Sequence, residues 1–133
     1  MGLVIDSDVW ILAERSGGKL DLARWSEYGG AYMSAITASE LLVGVERAST
    51  AQRKAQRGAF VENLLSIIPV LEFSMPVVRT HARMVAALSK NVKAGEHDAI
   101  IAATAIHHGY AVLTCNVVDF KIFAGLKLEA FQL

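Results

Sequence analysis

The chain has one cysteine, Cys115, so no intrachain disulfide is available to it, and that fits a reducing cytoplasmic setting. It has two prolines among 133 residues and no stretch of low complexity, which argues against a long disordered segment. Its apolar runs are short and broken by Asp, Glu, Lys or Arg, and none approaches the roughly 18–20 residues that cross a bilayer, so no membrane association is expected. No basic stretch precedes Leu3-Val4-Ile5, which excludes a signal peptide as an expectation, and Asp6 stands where a myristoylation pattern at Gly2 needs Ser or Thr. Net charge is absent as well: 13 basic and 13 acidic residues balance, which removes a whole-molecule pull on nucleic acid.

What the chain does have is apolar content, 53% of residues, enough for one domain spanning 1–133. Leu3-Val4-Ile5 reads as a buried strand, followed by a helix over Asp8–Arg15 that Ser16-Gly17-Gly18 ends. A second short helix is predicted over Lys19–Tyr28, a strand over Ala31–Ser34, and helices over Thr37–Ala48 and Ala51–Leu65. Ile67–Phe73 is a third strand, placed at an edge by Pro69. Pro76, at the first helical position, opens a helix over Val77–Lys90, with Val78, Ala82, Val85 and Leu88 on its apolar face. Asp98–His108 is a further helix stopped by Gly109, and strands follow over Ala111–Thr114 and Leu126–Phe131. Alternating strands and helices imply an α/β fold: a mainly parallel sheet of four or five strands with helices on both faces, and a helical lobe between the second and third strands.

Four acids fall at the ends of these apolar stretches: Asp6, Glu40, Asp98 and Asp119. In a parallel sheet the C-terminal strand edge is where such residues meet. Clustered carboxylates repel one another, and a divalent cation such as Mg²⁺ or Mn²⁺ removes the penalty. Each acid also has an ordinary structural account. Asp6 suits a helix N-cap, and Thr37-Ala38-Ser39-Glu40 fits a capping box with Glu40 at the third position. Asp98 suits a helix dipole, and Asn116 with Asp119 suits a turn.

The flanking blocks tie the four together. They are Val4-Ile5-Asp6-Ser7-Asp8-Val9-Trp10, the segment from Ser34 to Gly44 around Glu40, the segment from His97 to Ala105 around Asp98, and the segment from Gly109 to Phe120. In this order and spacing, over nearly the whole chain, the sequence resembles the PIN-domain ribonucleases, and within them the VapC-like toxins of type II toxin–antitoxin pairs. The resemblance implies a PIN-like α/β/α fold and a Mg²⁺- or Mn²⁺-dependent endoribonuclease that cleaves cellular RNA and inhibits translation. Asp6, Glu40 and Asp98 match the family's three core acidic positions, the fourth falls at Asn116 or Asp119, and Ser7 and Thr114 match positions that line the site. Cys115 departs from the basic residue common before the Asn. The family also implies a homodimer and a cognate antitoxin, through which alone DNA is contacted; the apolar content of Ala51–Leu65 is compatible with a dimer face.

Other features weigh less. Arg53, Lys54 and Arg57, and the pair Arg79 and Arg83, are candidate RNA phosphate contacts, against the plainer account of solvated helix faces. His81, His97, His107 and His108 with Cys115 fit no zinc spacing. Trp10 and Trp25 suit burial better than base stacking. Two alternatives stand beside the nuclease. Asp6-Ser7-Asp8 fits the opening of a haloacid-dehalogenase-like phosphatase with Asp6 as nucleophile, although no late acidic pair accompanies it; the other alternative is a PIN-like RNA-binding module without catalysis.

Overall fold

In the computed structural model, which describes residues 1–132, each strand carries side chains alternately to two helical layers, and the order of the strands decides where its acids gather. The strands are β1 (Gly2–Ile5), β2 (Gly30–Ser34), β3 (Val70–Leu71), β4 (Ala111–Thr114) and β5 (Lys127–Ala130), arranged β3-β2-β1-β4-β5. Every neighbouring pair is parallel, with Leu3 opposite both Ala31 and Ala111. Strands β1 and β4 are buried along their whole length, as continuous apolar runs covered on both faces should be.

Leu3, Ile5, Met33 and Leu113 pack on one side with Val9 and Trp10 of α1 (Ser7–Arg15), Leu41 of α2 (Ala35–Glu46), and Val61 and Leu64 of α3 (Ala51–Ile67). Val4 and Val112 point the other way. They meet Ala99, Ile101, Ala102 and Ala105 of α5 (Glu96–His108), Phe120 of the short α6 (Val117–Phe120), and Phe123. The α2–α3 hairpin is the expected helical lobe, and it closes the first core. At the N-terminal edge of the sheet the Tyr32 and Tyr110 rings stack 5.0 Å apart over Gly2, where a Cβ would come within 2.8 Å of Tyr32. Gly109 ends α5 at φ 71°, the left-handed conformation expected of it.

Several elements depart from the sequence reading. The helix predicted over Lys19–Tyr28 is a 3₁₀ segment over Ala23–Tyr28 only; Trp25 leaves helical backbone (φ −111°, ψ 20°) and is buried, 5.7 Å from the Phe131 ring. Helix α2 starts three residues early as an N-cap matter: Ser34, not Thr37, is the cap, and its hydroxyl accepts the Thr37 N–H at 3.2 Å. The third strand shrinks to two residues because Pro69 has no N–H to give; its carbonyl still accepts from Met33 at 3.1 Å. Helix α4 runs Met75–Ala86, so Pro76 is its second residue, and it buries Val77 and Thr80 while Ala82 and Val85 face solvent. Along α3 the buried side chains are Val61 and Leu64. Exposed large apolar side chains include Ile67 at the end of α3 with Leu42, Val43 and Val70, and Phe73, Met75, Val85 and Val92.

Candidate active site

The chain runs β1 to β2 to β3 on one side, then returns to place β4 on the other side of β1. The crevice at the carboxyl ends of β1 and β4 is therefore the switch point of the sheet, where ligands of open α/β folds bind. Asp6 leaves β1 there. It caps α1, with Oδ1 accepting the Ser7 N–H at 2.8 Å and Oδ2 accepting the Thr114 hydroxyl at 2.9 Å. The N-cap account and the site account are thus one geometry. Asp6 is only 5% exposed. Burial raises its pKa from the usual carboxylate range to about 7; Asp8 and Asp98 push the same way, against the Thr114 and Ser7 hydrogen bonds.

Because α2 begins at Ala35, Glu40 is not at the third helical position, and the capping box does not form. Glu40 sits in the helix interior. Its Oε2 lies 3.3 Å from Nδ1 of His97, and its Oε1 is buried with no hydrogen-bond partner. A buried acceptor left without a donor is costly, and such atoms concentrate at functional sites.

Asp98 is at the third position of α5, behind Gly95, which has no side chain to cap the helix. Glycine there also makes room: a Cβ on Gly95 would lie 3.1 Å from Asp98 Oδ2. Burial raises the Asp98 pKa, followed by the charges of Asp119, Glu40 and Asp8, while His97 lowers it. Asp119, in the first turn of α6, is exposed.

Asn116 precedes α6 but caps nothing with its side chain. Its amide reaches across to α1 and donates to Asp8 Oδ2 at 2.7 Å. Asp8 is the residue that the sequence reading passed over, noticed only within Asp6-Ser7-Asp8. The spacing held the signal: a carboxylate at the second helical position, behind a capping carboxylate at a strand end, shares the crest of the same crevice.

Thr114 and Ser7 are both buried against Asp6, and the Thr114 hydroxyl also accepts the Asn116 N–H at 3.0 Å. The Cys115 thiol is pushed up to about 11 by burial first and then by Asp8 and Asp6, so it stays protonated at neutral pH. Trp10 and Trp25 are buried in the core.

Of the basic candidates, Lys54, Arg53, Arg83 and Arg57 are held by partners of their own, and Arg57 shares a groove with Glu40. Lys54 pairs with Glu46 at 3.0 Å, Arg53 donates to Ser49 at 3.0 Å, and Arg83 donates to Thr80 at 3.3 Å. Arg57 spans Glu14 (3.4 Å) and the Gly44 carbonyl (2.9 Å), along a groove between α1, α2 and α3 that Glu40 also lines. Arg79 is exposed on α4.

Among the described residues, no three Asp, Glu, His or Cys side chains converge tightly enough to cage an ion. The neighbouring acids stand close enough to raise the pKa of Asp6 and of Asp98, yet the set is not drawn together into a ready cage. Their donor type fits a hard divalent cation, all oxygen, and the unpartnered Glu40 Oε1 is a free acceptor among them.

The PIN domain family model matches residues 3–125. The chain belongs to the PIN-domain family. Within that family it is 44% identical over 129 residues to Ribonuclease VapC1 of Rickettsia felis, covering 96% of this chain and 95% of that one. It is 37% identical, over the same shares, to Ribonuclease VapC of Rickettsia bellii. The PIN fold recurs at TM-score 0.87 in VapBC2 from Rickettsia felis bound to a promoter DNA fragment, with 22% identity over 99% of this chain and 100% of that one. It recurs at 0.77 in FitAcB from Neisseria gonorrhoeae, with 25% identity over 96% of each chain. Membership of the PIN-domain family replaces the dehalogenase-like account of Asp6-Ser7-Asp8.

Proposed function

We propose that this PIN domain is a Mg²⁺- or Mn²⁺-dependent endoribonuclease acting as the toxin of a toxin–antitoxin pair, cleaving cellular RNA in the cytoplasm and so inhibiting translation. The observation that carries the reading is the carboxylate crevice itself, where Asp6 and Asp98 are both raised by burial and by neighbouring acids and Glu40 keeps a buried oxygen unpartnered. Membership of the PIN family and the ribonuclease names of the relatives support it.

Asp6, Glu40, Asp98 and Asp119 would hold the cation. Asn116 is a poorer fourth member than Asp119, because its amide is given to Asp8, whereas Asp119 is the charge that acts most on Asp98. When bound, the metal makes a better nucleophile of water and neutralises charge on the attacking and leaving oxygens of a phosphodiester. The protein's own groups supply the rest. The Thr114 hydroxyl and the Ser7 N–H hold the two Asp6 oxygens in fixed directions, and His97 holds one oxygen of Glu40. Arg53, Lys54, Arg57, Arg79 and Arg83 are the available phosphate contacts for RNA.

The antitoxin reading draws on structures of the same fold that are toxin–antitoxin systems by name, VapBC-5 from Mycobacterium tuberculosis and a toxin–antitoxin complex from Klebsiella pneumoniae. The exposed apolar residues on α2 with β3, and on and around α4, are surfaces that an antitoxin and a second copy of the chain would cover. The test is to incubate purified protein, free of antitoxin, with total cellular RNA, with and without Mg²⁺, and to sequence new 5′ ends. Metal-dependent cuts that vanish in Asp6→Asn are expected. RNA binding without cleavage in both Mg²⁺ and Mn²⁺ would instead make the chain a non-catalytic RNA-binding module.

A further inference from the structure

Asp8 has more polar partners than any other acid in the crevice, and all of them lie on Thr114, the last residue of β4, and the two residues after it. Its carboxylate accepts the Cys115 N–H at 3.3 Å and the Asn116 side-chain amide at 2.7 Å, and stands 3.3 Å from the Thr114 hydroxyl. These contacts bridge more than a hundred residues of chain. They join the first turn of α1, which carries Asp6, to the turn before α6, which carries Asp119. The Asn116 side chain caps no helix and makes its hydrogen bond to Asp8 instead. Without the clamp, the exposed pair Cys115 and Asn116 would be oriented by two backbone contacts of Asn116, its N–H to the Thr114 hydroxyl at 3.0 Å and its carbonyl from the Asp119 N–H at 3.1 Å, with nothing tying them to α1.

We propose that Asp8 is a positioning residue that clamps the Thr114-Cys115-Asn116 segment to α1 and thereby sets the separation between Asp6 and Asp119 in the cation site. This rests on the metal-dependent reading above and deepens it. Asp8 acts here through its hydrogen bonds, and Asn116 is its clamp partner and not a cation ligand. Removing an outer partner of this sort weakens metal affinity by about ten- to a hundredfold.

A mutant cycle on the purified full chain tests this, read as the Mn²⁺ dissociation constant by calorimetric titration beside the melting temperature and the Asn116 side-chain amide resonances. Asp8→Ala and Asn116→Ala should each raise the Mn²⁺ Kd about tenfold, and the double variant should go no further than the weaker-binding single variant. Asp8→Asn keeps an acceptor oxygen for Asn116 and should stay within about threefold of wild type while retaining the shifted Asn116 amide resonances. The proposal is overturned if the two alanine effects add, if Asp8→Ala loses binding while Asn116→Ala keeps it, or if Asp8→Asn is as impaired as Asp8→Ala. A loss of melting temperature with Kd unchanged would also overturn it, leaving the clamp a purely structural tie. A wild-type protein that binds no Mn²⁺ defeats the metal reading itself; one that binds Mn²⁺ with additive alanine effects defeats the clamp alone.

Discussion

In the folded chain Asp6 titrates at about 7, against 3.8 for an unperturbed aspartate, chiefly because it is buried and then because Asp8 faces it. Between those two values the folded state binds a proton that the unfolded state has released. Stability therefore falls as pH rises from about 4 to about 7, and levels off above. Asp6→Asn keeps the cap and removes the charge, so it should stabilise the protein above about pH 7, by at most about 4 kcal/mol at about 1.4 kcal/mol per pKa unit. Melting curves across pH check this: the variant should melt higher at about pH 8 without divalent ions, and the gap should close toward about pH 4. Adding Mg²⁺ should raise the wild-type melting temperature and leave that of Asp6→Asn unchanged, since a ligand stabilises only the form that binds it. At subsaturating Mg²⁺, cleavage should rise with pH through about 7, because proton and cation compete for Asp6; a flat profile would contradict that competition. In the fold the Asp98 charge acts on Asp6 and the Glu40 charge on Asp98; all three were legible in the sequence as acids at the ends of apolar stretches in separate blocks. Asp8 was not, because its partners Thr114, Cys115 and Asn116 are far away along the chain and meet it only through the β1–β4 pairing.

Helix starts fix where these side chains point. Glu40 reaches the crevice because α2 is capped by the buried Ser34, a turn before the Thr37-x-x-Glu40 pattern would start it. Ser34→Ala should cost about 1 kcal/mol, read from the denaturation midpoint with an unchanged slope. An unaffected midpoint would return the cap to Thr37. The pattern misled because Ser34 and Thr37 are three residues apart and each is a competent cap; only the end of β2 at Ser34 decides between them. Burial was the hidden variable in the other misread elements too. Trp25 is drawn into the core against Phe131 and breaks the helix predicted around it, while α4 turns Val77 and Thr80 inward instead of the Val78–Val85 stripe. Where periodicity was strong and flanked by Gly or by short apolar runs, as in α5 and β4, the boundaries were readable to within two residues.

For the whole molecule, strand order is what turns distant residues into a site. A sheet ordered β3-β2-β1-β4-β5 sets β1 and β4 side by side, and the acids after each strand share one crevice. The fold class was legible from the alternation of strands and helices; the surfaces were not, because the exposed apolar groups on Leu42, Val43 and Val70, and on Phe73, Met75 and Val85, come from separate segments. Light scattering at micromolar concentration should give twice the monomer mass for the antitoxin-free protein, and a monomer there would contradict the homodimer. The central claim, that the crevice carboxylates form one cation site that cuts RNA, is tested most directly by following cleavage of one RNA by wild type and Asp98→Asn, each in Mg²⁺ and in chelator. The account predicts cuts only for wild type in Mg²⁺, with both proteins folded. Cleavage by wild type in chelator, or by Asp98→Asn at the wild-type rate, would contradict it.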